Sequence, residues 1–241
     1  MVEDEPERFR KGSVMRALEV SPRFGHYYFI EIDPGKCIEL QGICAGCPGL
    51  SYTIANTDAN SYLFDLITRQ IDWRSSRAVI FLDPFGTEVA WPTLQAISQQ
   101  PGIDLWYLFP AMAVNRMLMQ NGQIPAQWRA KLDSLFGTNT WYERFYTSYQ
   151  QQSLWGEPVT TVQKQAPIAL VKEYLLERLR TLFPYVAPNP LVLCNSRNSP
   201  LFILSFAITN PSEPAIKLAK KMGEYILGKH GAKMQRGNCI G

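Results

Sequence analysis

Short apolar runs that stop abruptly at an acid recur along this chain. The clearest spans residues 78–86, where Ala78, Val79, Ile80, Phe81 and Leu82 run into Asp83, Pro84, Phe85 and Gly86. A run this short, without alternation, predicts a strand buried on both faces, as in a parallel sheet covered by helices. Residues 27–32 form a second such run and close on Glu31 and Asp33 before Pro34 and Gly35. Residues 50–55 form a third, closing on Asn56, Thr57, Asp58, Ala59 and Asn60. Residues 104–109 form a fourth, stopped by Pro110.

Between these runs the spacing turns helical. Ser13 is a candidate N-cap for a short helix over 13–20, and residues 36–43 read as a helix. Asp58 or Thr57 can cap a helix whose apolar face is Tyr62, Leu63, Leu66 and Ile67, and 91–99 continues the alternation. Strand and helix in turn at this spacing predict a doubly wound α/β sheet. Ligands of such sheets bind beyond the carboxyl ends of the strands, so Glu31, Asp58 and Asp83 are expected to line one edge. The alternative is that these acids only start the following helices as caps.

Residues 111–190 interrupt the sheet with an insertion expected to be helical, at 111–119, 125–136, 141–149 and 168–183. It serves either as a cap over the strand edge or as plain packing. Trp128, Leu132, Leu135 and Phe136 are expected on one buried face, with Gly137 as a stop and Arg178 and Arg180 facing water. Residues 153–162 read as a polar loop or an edge strand. The stretches 191–194 and 201–209, joined by a turn-rich connector, suit an antiparallel hairpin. A helix over 215–227 carries Lys217, Lys220 and Lys221, which form either a solvated face or a nucleic-acid contact.

Composition narrows this picture. The 241 residues are 46% hydrophobic and 19% charged, enough for one sizeable core, so a single domain over 1–241 is expected, with mobile ends at 1–11 and 229–241. A net charge of +3 does not by itself establish nucleic-acid binding. The acidic start lacks a signal peptide's apolar core, and no apolar stretch reaches ~20 residues, so a cytoplasmic protein with no membrane partner is expected. The five cysteines, an odd number, argue for reduced thiols, with Cys194 packed in an apolar run. Cys44 and Cys47 form a CxxC close to Cys37. The only histidines, His26 and His230, are remote in sequence, so a thiol-rich connection is preferred to a metal site. A serine hydrolase is disfavoured, since no Gly-x-Ser-x-Gly turn accompanies either histidine.

Five blocks then carry a resemblance: Phe29 to Asp33, Asp58 to Asn60, Phe81 to Gly86, Trp128 to Leu132 with Phe136 and Gly137, and Phe206 to Pro211. In this order they resemble the three-Cys-motif partner (TcmP) proteins, which are similar to class I S-adenosylmethionine-dependent methyltransferases. The resemblance spans roughly residues 12 to 228. It implies a Rossmann-like methyltransferase sheet, mostly parallel with a C-terminal antiparallel hairpin, and S-adenosylmethionine as cofactor. It also implies Glu31, with Asp33 as fallback, for the ribose hydroxyls, and Asp58 and the Ala59 amide for the adenine. Asp83, Pro84 and Phe85 are implied to hold an amine, possibly in nucleic acid, for methylation. Position 85 is Phe where the amine-modifying motif has a second proline, and position 86 is Gly where it has an aromatic. A three-Cys-motif protein is an implied partner, and the name's cysteines belong to it. No Gly-x-Gly precedes Glu31, so the family's first strand and glycine-rich loop are expected to be missing and cofactor binding weak or absent. A non-catalytic partner that keeps the fold as an interaction surface is the alternative.

Overall fold

A computed structural model of the chain describes residues 12–152 and 158–230, and the expectations for the two chain ends fall largely outside them. The chain divides into two compact units, 1–63 and 64–241. Both are mixed α/β, and parallel and antiparallel strand pairs occur.

In the first unit, helix α1 (Ser13–Leu18) precedes strand β1 (Tyr27–Glu31), helix α2 (Pro34–Ala45), strand β2 (Tyr52–Asn56) and most of helix α3 (Ala59–Asp65), which runs across the division between the units. Ser13 does not cap α1. Gly12 holds that position with no side-chain bond, and the helix stops at Leu18, two residues short of the expected end. Strands β1 and β2 pair in parallel as a two-stranded sheet, Tyr27 opposite Tyr52 and Glu31 opposite Asn56. Leu18, Tyr27 and Cys44 form its buried centre, with Val14, Phe29, Ile43, Cys47, Leu50 and Ile54 against them.

The second unit is organised by strand β4 (Ile103–Phe109). It pairs in parallel with β3 (Ala78–Leu82) and antiparallel with β9 (Pro200–Ile208). Burial along β4 alternates strictly: Ile103, Leu105, Tyr107 and Phe109 are all within 1% of full burial. At roughly 1.5–3 kcal/mol for each large apolar side chain, this single face is a major source of stability. Strands β7 (Tyr185–Val186) and β8 (Leu191–Cys194) both pair antiparallel with β9, the latter as the expected hairpin, with Asn198 left-handed in the connector. Helix α9 (Glu213–Gly223) covers the β9 side, where Phe206, Ile208, Ala219 and Leu227 pack together.

Strand β3 departs from expectation. Among the described residues it pairs only with β4, and its burial alternates instead of being complete. Val79 is 48% and Phe81 46% exposed. Five apolar residues in a row do not show whether both faces are covered, because periodicity cannot report what packs on a face.

The insertion is only partly helical. After α4 (Trp91–Ser98), β4 and α5 (Ala111–Met117) come α6 (Ala126–Phe136) and α7 (Trp141–Phe145). Tyr146 to Tyr149, expected to continue that last helix, belong instead to strand β5 (Tyr146–Gln152), which pairs antiparallel with β6 (Pro158–Lys164). Tyr146, Thr147 and Tyr149 are residues that suit a pleated surface. Helix α8 (Ile168–Arg180) then closes the segment. On α6, Leu132, Leu135 and Phe136 are buried but Trp128 is 38% exposed, so it lies off the buried face where it was expected.

Arg180 of α8 is exposed as expected, but Arg178 is only partly so. Its guanidinium stacks 4.5 Å from the Trp91 ring centroid and its Nε donates to the Phe136 carbonyl at 2.9 Å. Gly137, left-handed at φ +67°, ends α6 against the same indole, and a Cβ there would overlap the Trp91 ring. Trp91 is thereby held by the ends of α6 and α8 at once. Gly137→Ala combines a positive-φ penalty with this overlap and is expected to cost on the order of 3 kcal/mol, read as a lower urea midpoint.

Tyr107 carries the one fully buried side-chain hydroxyl with no hydrogen-bond partner among the described residues, and burial pushes its phenol far above the ordinary tyrosine value. An unmade bond of this kind costs stability while the ring's packing does not require it. Tyr107→Phe is expected to raise the melting temperature, by about 1 kcal/mol in stability.

Candidate functional site

The expected acids fall on the two units, and each group has its own local geometry. In the first unit the carboxyl ends of β1 and β2 are tied together. Asn56 Nδ2 donates to the carbonyls of Glu31 (3.0 Å) and Ile32 (2.9 Å), and the Thr57 amide donates to the Glu31 carbonyl at 3.2 Å. Glu31 and Asp58 are thus both carried on the same end of one parallel pair.

The side chains at this end already have work. Asp33 caps α2, its Oδ1 accepting from the amides of Gly35 (2.7 Å) and Lys36 (3.3 Å), with Pro34 in the first turn. Glu31 Oε1 accepts from the Asp33 amide at 2.9 Å, and Oε2 lies 3.7 Å from Lys36 Nζ. The Glu31 side chain is 26% exposed, so it keeps a solvent-facing side. Asp58 Oδ1 accepts from the Ser61 amide at 2.9 Å and caps α3, whose first residue is Ala59. That bond holds the Asp58 carboxyl below the usual carboxylate range. The alternative that acids start helices as caps therefore describes Asp33 and Asp58 directly.

In the second unit, Asp83 follows the carboxyl end of β3, beside the parallel end of β4. Gly86 is left-handed at φ +69°, which allows the chain to turn away sharply. Pro84 is half-buried and Phe85, implied to help hold an amine, is 91% exposed, so its ring projects into solvent.

Sequence reasoning pointed to none of the concave surfaces. A cavity of about 400 Å³ in the second unit is lined by Tyr185, Ala187, Asn189, Lys220, Gly223 and Glu224. Burial, then the nearby Glu224 carboxylate, raises the Tyr185 phenol. A shallower one of about 270 Å³ lies beside Asn115, Gln120 and Lys164. There Lys164 Nζ donates to the Asn115 side chain (2.8 Å) and carbonyl (3.1 Å), and burial lowers its ammonium value. Both form between elements far apart in sequence, and their linings carry no motif.

The thiols of Cys37, Cys44, Cys47 and Cys194 are all free. Cys44 is buried, and burial, then its neighbour Cys47, pushes its thiol up. Cys194 is only half-buried. No group of three His, Cys, Asp or Glu side chains among the described residues is placed to hold a metal ion. No helix among them is long and apolar enough to cross a membrane. Lys217, Lys220 and Lys221 are exposed on α9. No family model, curated protein or solved structure matches the chain.

Asp58→Ala removes the cap of α3 and is expected to cost about 1 kcal/mol, near the low end because the site is exposed. The folded carboxyl is the stronger acid, so its contribution is present above the unfolded value of about pH 4 and is lost as pH falls through the lower folded value. Thermal melts of wild type and variant should therefore differ at pH 7 and converge near pH 2, within the limits of acid unfolding.

Proposed function

We propose that this chain is a Rossmann-like, methyltransferase-type α/β protein. Within that class we infer a protein of the three-Cys-motif partner kind, an S-adenosylmethionine-dependent methyltransferase acting on an amine in nucleic acid, with a three-Cys-motif protein as its partner. The observation that carries the reading is the parallel β1–β2 pair, with Glu31 and Asp58 at its carboxyl end.

The nucleoside half of such a cofactor suits these residues. Glu31 has one oxygen held by a backbone amide and the other near Lys36, with lone pairs left for two ribose hydroxyl donors. Asp58 and the Ala59 amide would present an acceptor and a donor to an adenine edge. These residues would face the nucleoside half of S-adenosylmethionine only. When bound, it would supply a methyl group already activated on a sulfonium. In the second unit, Asp83 and the Pro84 carbonyl would accept from an amine and orient its lone pair, and Phe85 would offer a flat face.

A second reading, a non-catalytic interaction partner with the same fold, is favoured by a separate observation. Asp33 and Asp58 are both engaged as helix caps. Calorimetry of the chain with S-adenosylmethionine separates the two. The methyltransferase reading expects saturable binding that Glu31→Ala weakens by about 10-fold or more, as befits loss of charge-assisted bonds. Asp83→Ala should abolish methyl transfer to DNA or RNA while leaving that binding unchanged. Absence of binding leaves the interaction partner as the function.

A further inference from the structure

The cavity of about 400 Å³ in the second unit lies between the end of β7 with the segment after it and the C-terminal end of α9. All of its lining residues belong to that one unit. Its volume falls within the range of small-molecule sites, roughly 300–1,000 Å³. Glycine leaves the helix side clear. A Cβ on Gly223 would stand 3.4 Å from the Ala187 Cβ and 3.8 Å from the Tyr185 hydroxyl, and one on Gly228 would meet nothing within 4 Å. At Glu224 the helix passes into a π form that runs to His230. This form is rare and recurs at functional sites.

Tyr185, Asn189, Lys220 and Glu224 bring a hydroxyl, an amide, an ammonium and a carboxylate to this one cavity. Among the described residues none of these four side-chain groups makes a hydrogen bond or an ion pair. Lys220 and Glu224 are four residues apart, a spacing at which opposite charges on a helix usually meet, although the lysine-first order is the weaker one. Here they do not close on each other, and both are left at the cavity wall. The raised Tyr185 phenol stays protonated at neutral pH and can donate.

We propose that this cavity binds a free α-amino acid with an apolar side chain. Lys220 takes its carboxylate and Glu224 its ammonium, and the Tyr185 hydroxyl and Asn189 amide complete the hydrogen bonds of the two groups. The apolar remainder of the ligand lies on Ala187 and Gly223. Charge selects this class. A simple anion answers Lys220 but sets like charge against Glu224, and a simple cation does the reverse. A ligand that carries both charges close together answers both, and an α-amino acid is a small ligand of that kind. The inference stands apart from the methyltransferase reading, which uses no residue of this cavity.

Titration of the full chain with L-leucine, followed by amide chemical shifts, tests this. Saturable binding with a Kd of about 1 mM is expected, as befits a ligand of few atoms held by partly solvated charges. The shifts should centre on the amides of Ala187, Asn189, Gly223 and Glu224. Isopentylamine, which lacks the carboxylate, and 4-methylpentanoate, which lacks the ammonium, should each bind at least about 10-fold more weakly. Lys220→Met should weaken leucine about 10-fold and leave isopentylamine unchanged, while Glu224→Gln should weaken leucine equally and leave 4-methylpentanoate unchanged. Lys220→Arg, which keeps the charge, should retain leucine. Neither neutralised side chain has a partner among the described residues, so melting temperatures should match the wild type. Absence of shifts at these amides up to about 20 mM leucine overturns the proposal. Binding of either one-charge analogue as tightly as leucine, or leucine binding that neither neutralisation weakens, overturns it equally.

Discussion

The second unit depends on one strand, β4, being buried on one face along its whole length and hydrogen-bonded on both edges. Its alternation sends Ile103, Leu105, Tyr107 and Phe109 into the core, and its other side carries Asp104, Trp106 and Leu108. Trp106 stacks on Phe206 of β9 with ring centroids 4.4 Å apart, which extends the packing under α9. A strand with this many fixed neighbours cannot slip by a residue, because a slip would turn four large apolar side chains out of the core. Even the unpartnered Tyr107 hydroxyl is tolerated, since the ring beneath it is worth more in burial than the missing bond costs.

Around that strand the helices are fixed by a few contacts between chain segments far apart. Phe136 meets Phe109, Phe145 and Tyr174 with ring centroids between 5.1 and 6.0 Å, joining β4, α6, α7 and α8 in one aromatic cluster. The Phe136 carbonyl receives Arg178, whose guanidinium also lies on Trp91. A charge that would ordinarily be solvated is retained here because it satisfies an orphan helix-end carbonyl and an aromatic face together. Arg129 is used similarly, 4.4 Å over the Tyr142 ring.

The carboxylates at strand ends illustrate how one chemistry serves two ends. A carboxylate that accepts two amide hydrogens at a helix start is the same acceptor that would receive two ligand hydroxyls. Asp33 Oδ1 is engaged in the first way by two amides, whereas Glu31 is held by one amide and one distant ammonium and keeps a solvent-facing side. Local sequence cannot distinguish these roles, because both place an acid just after an apolar run. What separates them is the number of donors that the fold brings within about 3 Å, a matter of tertiary geometry.

Much of the element order was legible in the chain, for local reasons. Proline and glycine flanked the strands, Asp33 and Asp58 stood where α2 and α3 begin, and Gly137 ended α6. The Leu191–Cys194 and Pro200–Ile208 hairpin followed from its connector. Candidate residues were legible only as acids at strand ends. The cover each strand acquires was not legible, so β3 read as buried on both faces when Val79 and Phe81 are half-exposed. The side on which a long amphipathic residue lands was equally hidden, so Trp128 was misplaced inward and Arg178 outward. Nor were the two cavities, which arise between elements distant in sequence. The chain by itself determines where backbone turns and caps are cheapest. Only the assembled structure decides which faces are covered and which charges are enclosed, because those depend on partners that no local pattern encodes.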